Sequence, residues 1–189
     1  MVTREQEALA AAVAKAERPS WRSIWSALAD VPDPEIPVLS VLDLGVVRGA
    51  EWDPVEPEVL VVRVTPTYSG CPATEVIIET VRQALADIGV RNARIETMLS
   101  PPWSSSWLSA HAQRRLSEYG IAPPGSATIG APVTIDVRGL APLRNRSLVP
   151  CPRCGSTRTE LVAPFGSTAC KAQYRCADCL EPFDFFKPI

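Results

Sequence analysis

Six cysteines are distributed unevenly along this 189-residue chain. Five fall in CPRCGSTRTELVAPFGSTACKAQYRCADC, residues 151–179, and the sixth, Cys71, stands alone in VTPTYSGCPATEV, residues 64–76. The C-terminal group reads C-x2-C-x21-C-x2-C with Cys170 inserted ahead of the second pair. Each C-x2-C hairpin can aim two thiolates at one ion while turn amides donate to the sulfurs, and Gly155 supplies the permissive backbone such a turn needs. Cys151, Cys154, Cys176 and Cys179 are therefore expected to form a four-thiolate metal site. Closed tetrahedral sulfur sites suit zinc, while iron or an iron-sulfur cluster takes the same ligands. About forty residues cannot bury enough core to fold alone, so the metal would contribute folding free energy, on the order of 10 kcal/mol. Cys170 is read as a small buried side chain, with an extra-ligand role as its alternative; Lys171 beside it could favour its thiolate.

Cys71 calls for different chemistry. It precedes Pro72, a favoured first helical residue, and an amphipathic pattern follows, which places the thiol at or near a helix N-terminus. The macrodipole and the free amides there favour thiolate over thiol. Such a thiolate, beside a turn containing Thr67, Tyr68 and Gly70, can act as nucleophile, metal ligand or redox sensor; the bland alternative is a small buried hydrophobe. A thiol hydrolase would need a base, and His111, the one histidine, sits on a helix where an edge-of-core or surface role is expected. No catalytic residue is assigned. There is no Gly-rich phosphate loop, no helix-borne carboxylate and histidine set for a di-iron site, and no flavin or nicotinamide fingerprint.

The positioning elements follow from periodicity. SWRSIWSALADV places Trp21, Ile24, Trp25 and Leu28 on one helical stripe, with Ser20 as N-cap. In PDPEIPVLSVLDLG the prolines forbid regular helix, leaving Asp33, Glu35 and Asp43 in loops. VVRGAEW and EVLVVRV are strands joined by DPVEP, the second apolar enough to be buried on both faces. Residues 73–89 form an amphipathic helix ended by Gly89. VRNARIETML alternates as a third strand, with Ala93, Ile95, Thr97 and Leu99 on one side, and a helix carrying Leu108, Ala112, Leu116 and Tyr119 follows. PVTIDV, in a Gly- and Pro-rich connection, is a candidate short strand. Phe183, Phe185 and Phe186 are expected to close over the core of the cysteine-rich end.

The fold class is therefore α+β, a small three-stranded or mixed sheet packed with helices and followed by a zinc-ribbon-like domain. The boundaries are an N-terminal arm at 1–18, the α+β domain at 19–120, the connection at 121–147 and the ribbon at 148–189. Residues 1–143 carry 12 Lys+Arg against 17 Asp+Glu, net −5, and residues 144–189 carry 7 against 4, net +3. The acidic body argues against nucleic acid as a partner, and the basic side chains of the tail are scattered rather than clustered. No stretch approaches membrane-spanning length and none reads as a signal peptide, so no membrane partner and a cytoplasmic location are expected.

DPEIPVLSVLDLGVV followed by VRVTPTYSGCPA and a helix resembles the metal-sulfur cluster assembly domain of the SufT-like family, in which the Asp-Pro-Glu loop and the Gly-Cys-Pro turn lie near each other. Joined to CPRCGS, FGSTACKAQYRC and EPFDFFKPI, the chain is similar more narrowly to the PaaD (PaaJ) family of the phenylacetyl-CoA epoxidase gene cluster. The resemblance covers nearly everything from Trp21 onward. It implies an accessory protein, not an enzyme, for iron-sulfur or iron-centre maturation of a multicomponent oxygenase in aerobic phenylacetate degradation, with structural zinc in the ribbon and iron or a cluster in transit. It makes Cys71 the handover thiol, Asp33 and Glu35 the loop carboxylates, and the reductase and oxygenase subunits the partners. A structural or electron-transfer subunit is the alternative, and homo-oligomerisation is left open.

Overall fold

A computed structural model describes residues 18–125 and 149–189. The arm up to residue 17 and the PVTIDV run lie outside them. The chain divides into two compact units, Met1–Arg115 and Leu116–Ile189.

The first unit begins with α1, Trp21–Ala29, capped as expected by Ser20, whose hydroxyl accepts from the Ser23 amide at 3.1 Å. Its apolar stripe is narrower than the periodicity indicates. Ile24 and Leu28 are fully buried, whereas Trp21 and Trp25 are 45% and 38% exposed, because only one edge of the helix meets α2, Ala73–Asp87. Strands β1, Val47–Trp52, and β2, Val59–Val64, pair antiparallel, and β3, Asn92–Thr97, adds parallel to β2. The sheet is mixed, in the order β1-β2-β3. A parallel neighbour needs a crossover, which α2 supplies. Central β2 buries Leu60, Val62 and Val64, and α2 buries Ile77, Val81 and Leu85. Removing one fully buried side chain, as in Leu85→Ala, should cost about 2–5 kcal/mol.

Strand β3 is only half-buried on its apolar side, and Leu99 is exposed, since an edge strand lacks a neighbour to complete its cover. The segment after β3 is pinned by Trp103, whose indole N–H donates to the Leu44 carbonyl at 2.9 Å. The helix expected there is split into a short 3-10 turn, Ser105–Trp107, and α3, Ala110–Tyr119. Leu108 is buried between the two pieces, Ala112 and Leu116 are buried on α3, and Tyr119 is exposed. Ser109 starts α3 by accepting from the Ala112 amide at 3.0 Å.

The second unit is a four-stranded sheet in the order β4-β7-β6-β5, formed by Ile121–Ala122, Pro182–Phe186, Lys171–Cys176 and Thr159–Ala163. Ile121 and Ala122, which the sequence assigns to the connection, pair parallel with Asp184 and Phe185. Ala122, Val149, Cys151, Cys176 and Phe183 form its core, with Tyr174 and Phe185 packed against them. Tyr174 stacks on Phe183 at 5.8 Å and meets Phe185 edge-on at 5.6 Å. Phe186 is 1% exposed, so the terminal aromatics close the ribbon core as anticipated.

Candidate metal centre and thiol site

The loop between α1 and β1 is built around one carboxylate. Asp33 is buried, and its Oδ1 accepts from the amides of Glu35 and Ile36 at 2.9 and 2.8 Å, while its own amide donates to the Leu39 carbonyl at 2.8 Å. This is the Asx-type turn that Asp before Pro favours. Val41 donates to the Val31 carbonyl and closes the loop at its base, and Pro32 and Ser40 bridge across it. Ile36, Leu39 and Val41 then point inward and are buried, anchoring the turn to the core.

Beyond β2 the chain passes Pro66 and Thr67 and turns at Tyr68, whose carbonyl accepts from the Cys71 amide at 3.1 Å. The N-cap of α2 is Pro72, with no side-chain cap. Cys71 therefore lies one residue farther from the helix than the sequence indicates, since Pro72 is the half-in residue and not the first helical one. The carbonyl of Cys71 accepts from the Thr74 amide at 3.2 Å. A Cβ added to Gly70 would meet nothing within 4 Å, so no steric demand explains that glycine.

Asp33 and Cys71 line one cavity of about 20 Å³, together with Thr67, Thr74, Val46 and Ile77. That volume admits a single water-sized occupant. Cys71 is half-exposed, so a thiol, a carboxylate and two hydroxyl-bearing residues meet where the site opens to solvent. Glu35 is exposed and does not line it; the two loop carboxylates part company, one inward and one outward. Tyr68 and Gly70 shape the turn but are likewise outside the lining. Thr74 is a lining residue that the sequence does not single out; its position three residues beyond the thiol, in the first turn of α2, is the available cue. His111 is exposed on α3.

The sulfurs of Cys151, Cys154, Cys176 and Cys179 all lie within 4.8 Å of one another. Cys151 Sγ and Cys179 Sγ are 3.7 Å apart, and Cys154 Sγ and Cys176 Sγ 3.6 Å. A tetrahedral ion with metal–sulfur arms of about 2.3 Å requires sulfur–sulfur edges of about 3.8 Å. The donor set therefore fits one closed ion. The two C-x2-C turns repeat the same backbone plan. Cys151 N donates to the Ser156 carbonyl at 2.9 Å and Cys176 N to that of Glu181 at 3.0 Å, and left-handed residues follow each second cysteine, Gly155 at φ 74° and Leu180 at φ 64°. Gly155 is legible as a turn residue; Leu180 is not, because leucine rarely adopts that conformation.

The Asp178 amide donates to Cys176 Sγ at 3.4 Å, and the Asp178 carboxylate accepts from Ser156 Oγ and pairs with Arg158, tying one turn to the other. The Cys179 backbone amide, joined by the thiols of Cys154, Cys179 and Cys151, holds Cys176 below the ordinary thiol range. The Glu181 amide also favours a Cys179 thiolate, but partial desolvation of the sulfur and the thiols of Cys154, Cys176 and Cys151 push Cys179 up to about 12. One sulfur loses its proton readily and another reluctantly, because crowded thiolates repel until a cation compensates them.

Cys170 is buried outside this four-sulfur group, with its Sγ 3.1 Å from Thr168 Oγ1. Lys171, next in sequence, is also buried, and its ammonium faces Asp184 at 3.7 Å.

Two family models match the chain, the PaaD zinc beta ribbon domain over residues 138–187 and the iron-sulfur cluster assembly protein domain over residues 22–96. An Escherichia coli K12 protein, provisionally named as one of the subunits of 1,2-phenylacetyl-CoA epoxidase, is 44% identical over 176 residues, 90% of this chain and 94% of that one. The chain belongs to the PaaD family. Its first unit also matches smaller proteins. The Fe-S protein maturation auxiliary factor YitW of Bacillus subtilis is 33% identical over 48% of this PaaD-family chain and 87% of its own length, and an Fe-S protein maturation auxiliary factor of Porphyromonas gingivalis is 36% identical over 47% and 83%. Those relatives match about half of this chain, so the family adds a zinc beta ribbon to an iron-sulfur assembly domain. No helix among the described residues is long and apolar enough to cross a membrane.

Proposed function

We propose that this PaaD-family chain is an accessory protein that matures an iron-sulfur or iron centre of the phenylacetyl-CoA epoxidase system, with Cys71 as the thiolate that carries the cargo. The observation that supports this reading best is the meeting of Asp33 and Cys71 in one small cavity of the domain that matches iron-sulfur assembly proteins. The cargo is iron or a cluster in transit, and the handover is a ligand exchange without change of oxidation state. A client thiol loses its proton, its sulfur forms a bond to iron, the iron–Cys71 bond breaks, and Cys71 takes up a proton. Asp33 holds the loop against the thiol through its Asx turn.

In the same reading the four-cysteine site is structural. Its sulfur spacing suits one tetrahedral ion, and zinc, with no redox chemistry, would hold the ribbon together without taking part in transfer. A cluster would spread the thiolates over several irons, so the spacing weighs against a multi-iron cluster in the ribbon; an electron-transfer subunit with one iron on the same four sulfurs is the alternative, and metal analysis of the purified chain separates the two. The reductase is the favoured client because its cluster, as the family resemblance implies, is held by thiolates, which permits thiolate-to-thiolate exchange; the oxygenase subunits are the other partners, and the location is the cytoplasm.

The test is anaerobic transfer in vitro. The full chain, loaded with iron and sulfide, is incubated with metal-free reductase in the presence of a chelator that captures free iron. Wild type should load the reductase and Cys71→Ser should not. Equal loading by both would remove Cys71 from the handover.

A further inference from the structure

Among the described residues, strand β3 leaves one edge unpaired, and that edge has a self-complementary pattern. Among the described residues its strand partner is β2 alone, and of the helices it packs against α2. The Met98 amide donates to the Val64 carbonyl at 2.8 Å, so the backbone groups of Glu96 and Arg94, at the alternate positions before it, face β2. Those of Ala93, Ile95 and Thr97 then face away from the sheet.

The side chains of Arg94 and Glu96 lie on the charged face of the sheet. Arg63 Nε is 3.7 Å from Glu96 Oε2 and its guanidinium also pairs with Glu51, giving the sequence Glu51, Arg63, Glu96 across β1, β2 and β3. Arg94 pairs with Glu96, Glu56 and Asp53 and is 45% exposed. Ile95, level with fully buried Val62, is half-buried on the opposite, apolar face.

We infer that a second copy of this chain docks antiparallel on β3, with the two-fold axis at Ile95. In that register Ile95 faces Ile95 of the second copy, and Ala93 faces Thr97, so every outward-facing backbone group of the three residues gains a partner. Arg94 falls opposite Glu96 of the second copy, in both directions, and the alternation of charge continues across the junction from Glu51 and Arg63. Shifting the register by two residues either way breaks both matches. The resulting six-stranded sheet rests on a narrow contact, so association is reversible, concentration-dependent and weakened by salt.

The experiment is sedimentation equilibrium on the full, metal-replete chain over a wide concentration series. Wild type should show a reversible monomer–dimer equilibrium. Ile95→Pro removes an outward N–H, which an edge strand tolerates, and should raise the dimer dissociation constant about thirtyfold, two lost hydrogen bonds at ~1 kcal/mol each. Glu96→Arg and Arg94→Glu should each self-associate more weakly than wild type, and an equimolar mixture of the two should form heterodimers, because one edge then carries two arginines and the other two glutamates. Circular dichroism identifies any variant that has lost its fold, and the comparison then rests on the others. A wild-type chain that stays monomeric throughout, or a folded Ile95→Pro that dimerises like wild type, would overturn the inference.

Discussion

Asp33 and Cys71, on loops that precede β1 and follow β2, line the same cavity. The carboxylate accepts from two backbone amides on one oxygen, which ties it into the loop that faces the thiol. Asp33→Asn keeps an acceptor at that position, and Asp33→Ala leaves the amides of Glu35 and Ile36 without one. The alanine variant should lose about 1–3 kcal/mol of stability in urea unfolding, with the asparagine variant closer to wild type. Asn should also retain transfer activity. Loss of transfer by Asp33→Asn in a stable protein would make the carboxylate a ligand of the cargo instead.

Metal content should separate the ribbon cysteines. Cys151→Ser or Cys179→Ser removes one of four converging sulfurs, so bound metal per chain should fall steeply and the segment from 149 onward should become protease-sensitive. Cys170→Ser should keep full metal occupancy and lose only modest stability through its contact with Thr168. Equal metal loss in Cys151→Ser and Cys170→Ser would contradict the assignment of ligands.

The same site fixes a direction for pH. Protons compete with the metal for the thiolates, and the desolvation and neighbouring thiols that together push Cys179 up mean that at least one sulfur is protonated at neutral pH without the ion. Metal affinity, and with it the ribbon's stability, should therefore fall as pH is lowered. Acid titration of wild type and of Asp178→Ala in the presence of a chromogenic metal chelator should show release at higher pH for the variant, which loses the ties to Ser156 and Arg158.

Leu180 occupies a left-handed conformation at φ 64° and is 61% exposed. Glycine adopts that conformation without the penalty a Cβ brings, about 1–2 kcal/mol, offset in part by its greater unfolded entropy. Leu180→Gly should raise ribbon stability by about 0.5–1 kcal/mol in chemical denaturation. A clear loss would mean that the leucine side chain packs usefully despite its exposure.

Much of this is legible in the sequence because period, punctuation and spacing are local. Ser20 caps α1, the prolines keep 32–37 out of a helix, and the C-x2-C pairs converge. What escapes is set by distant neighbours. Trp21 and Trp25 have the right spacing for a buried stripe, yet both stay partly exposed among the described residues, with Trp21 tilted against Trp52 of β1. Ile121 and Ala122 carry no strand signal of their own and pair because β7 offers an edge. Glu35 cannot be told from Asp33 by residue type, since the Asx turn directs one carboxylate inward and leaves the other in solvent. Thr74 joins the thiol only once α2 is wound.

If Cys71 loads iron into a partner, it acts before turnover. The direct measurement is iron, sulfide and specific activity of reductase and oxygenase components purified from cells carrying the wild-type gene, Cys71→Ser, or no gene. Folded, assembled components deficient in iron or sulfide are expected from the last two strains, with activity restored by chemical reconstitution in the absence of this protein. Fully loaded, active components from all three strains would contradict a loading role for Cys71.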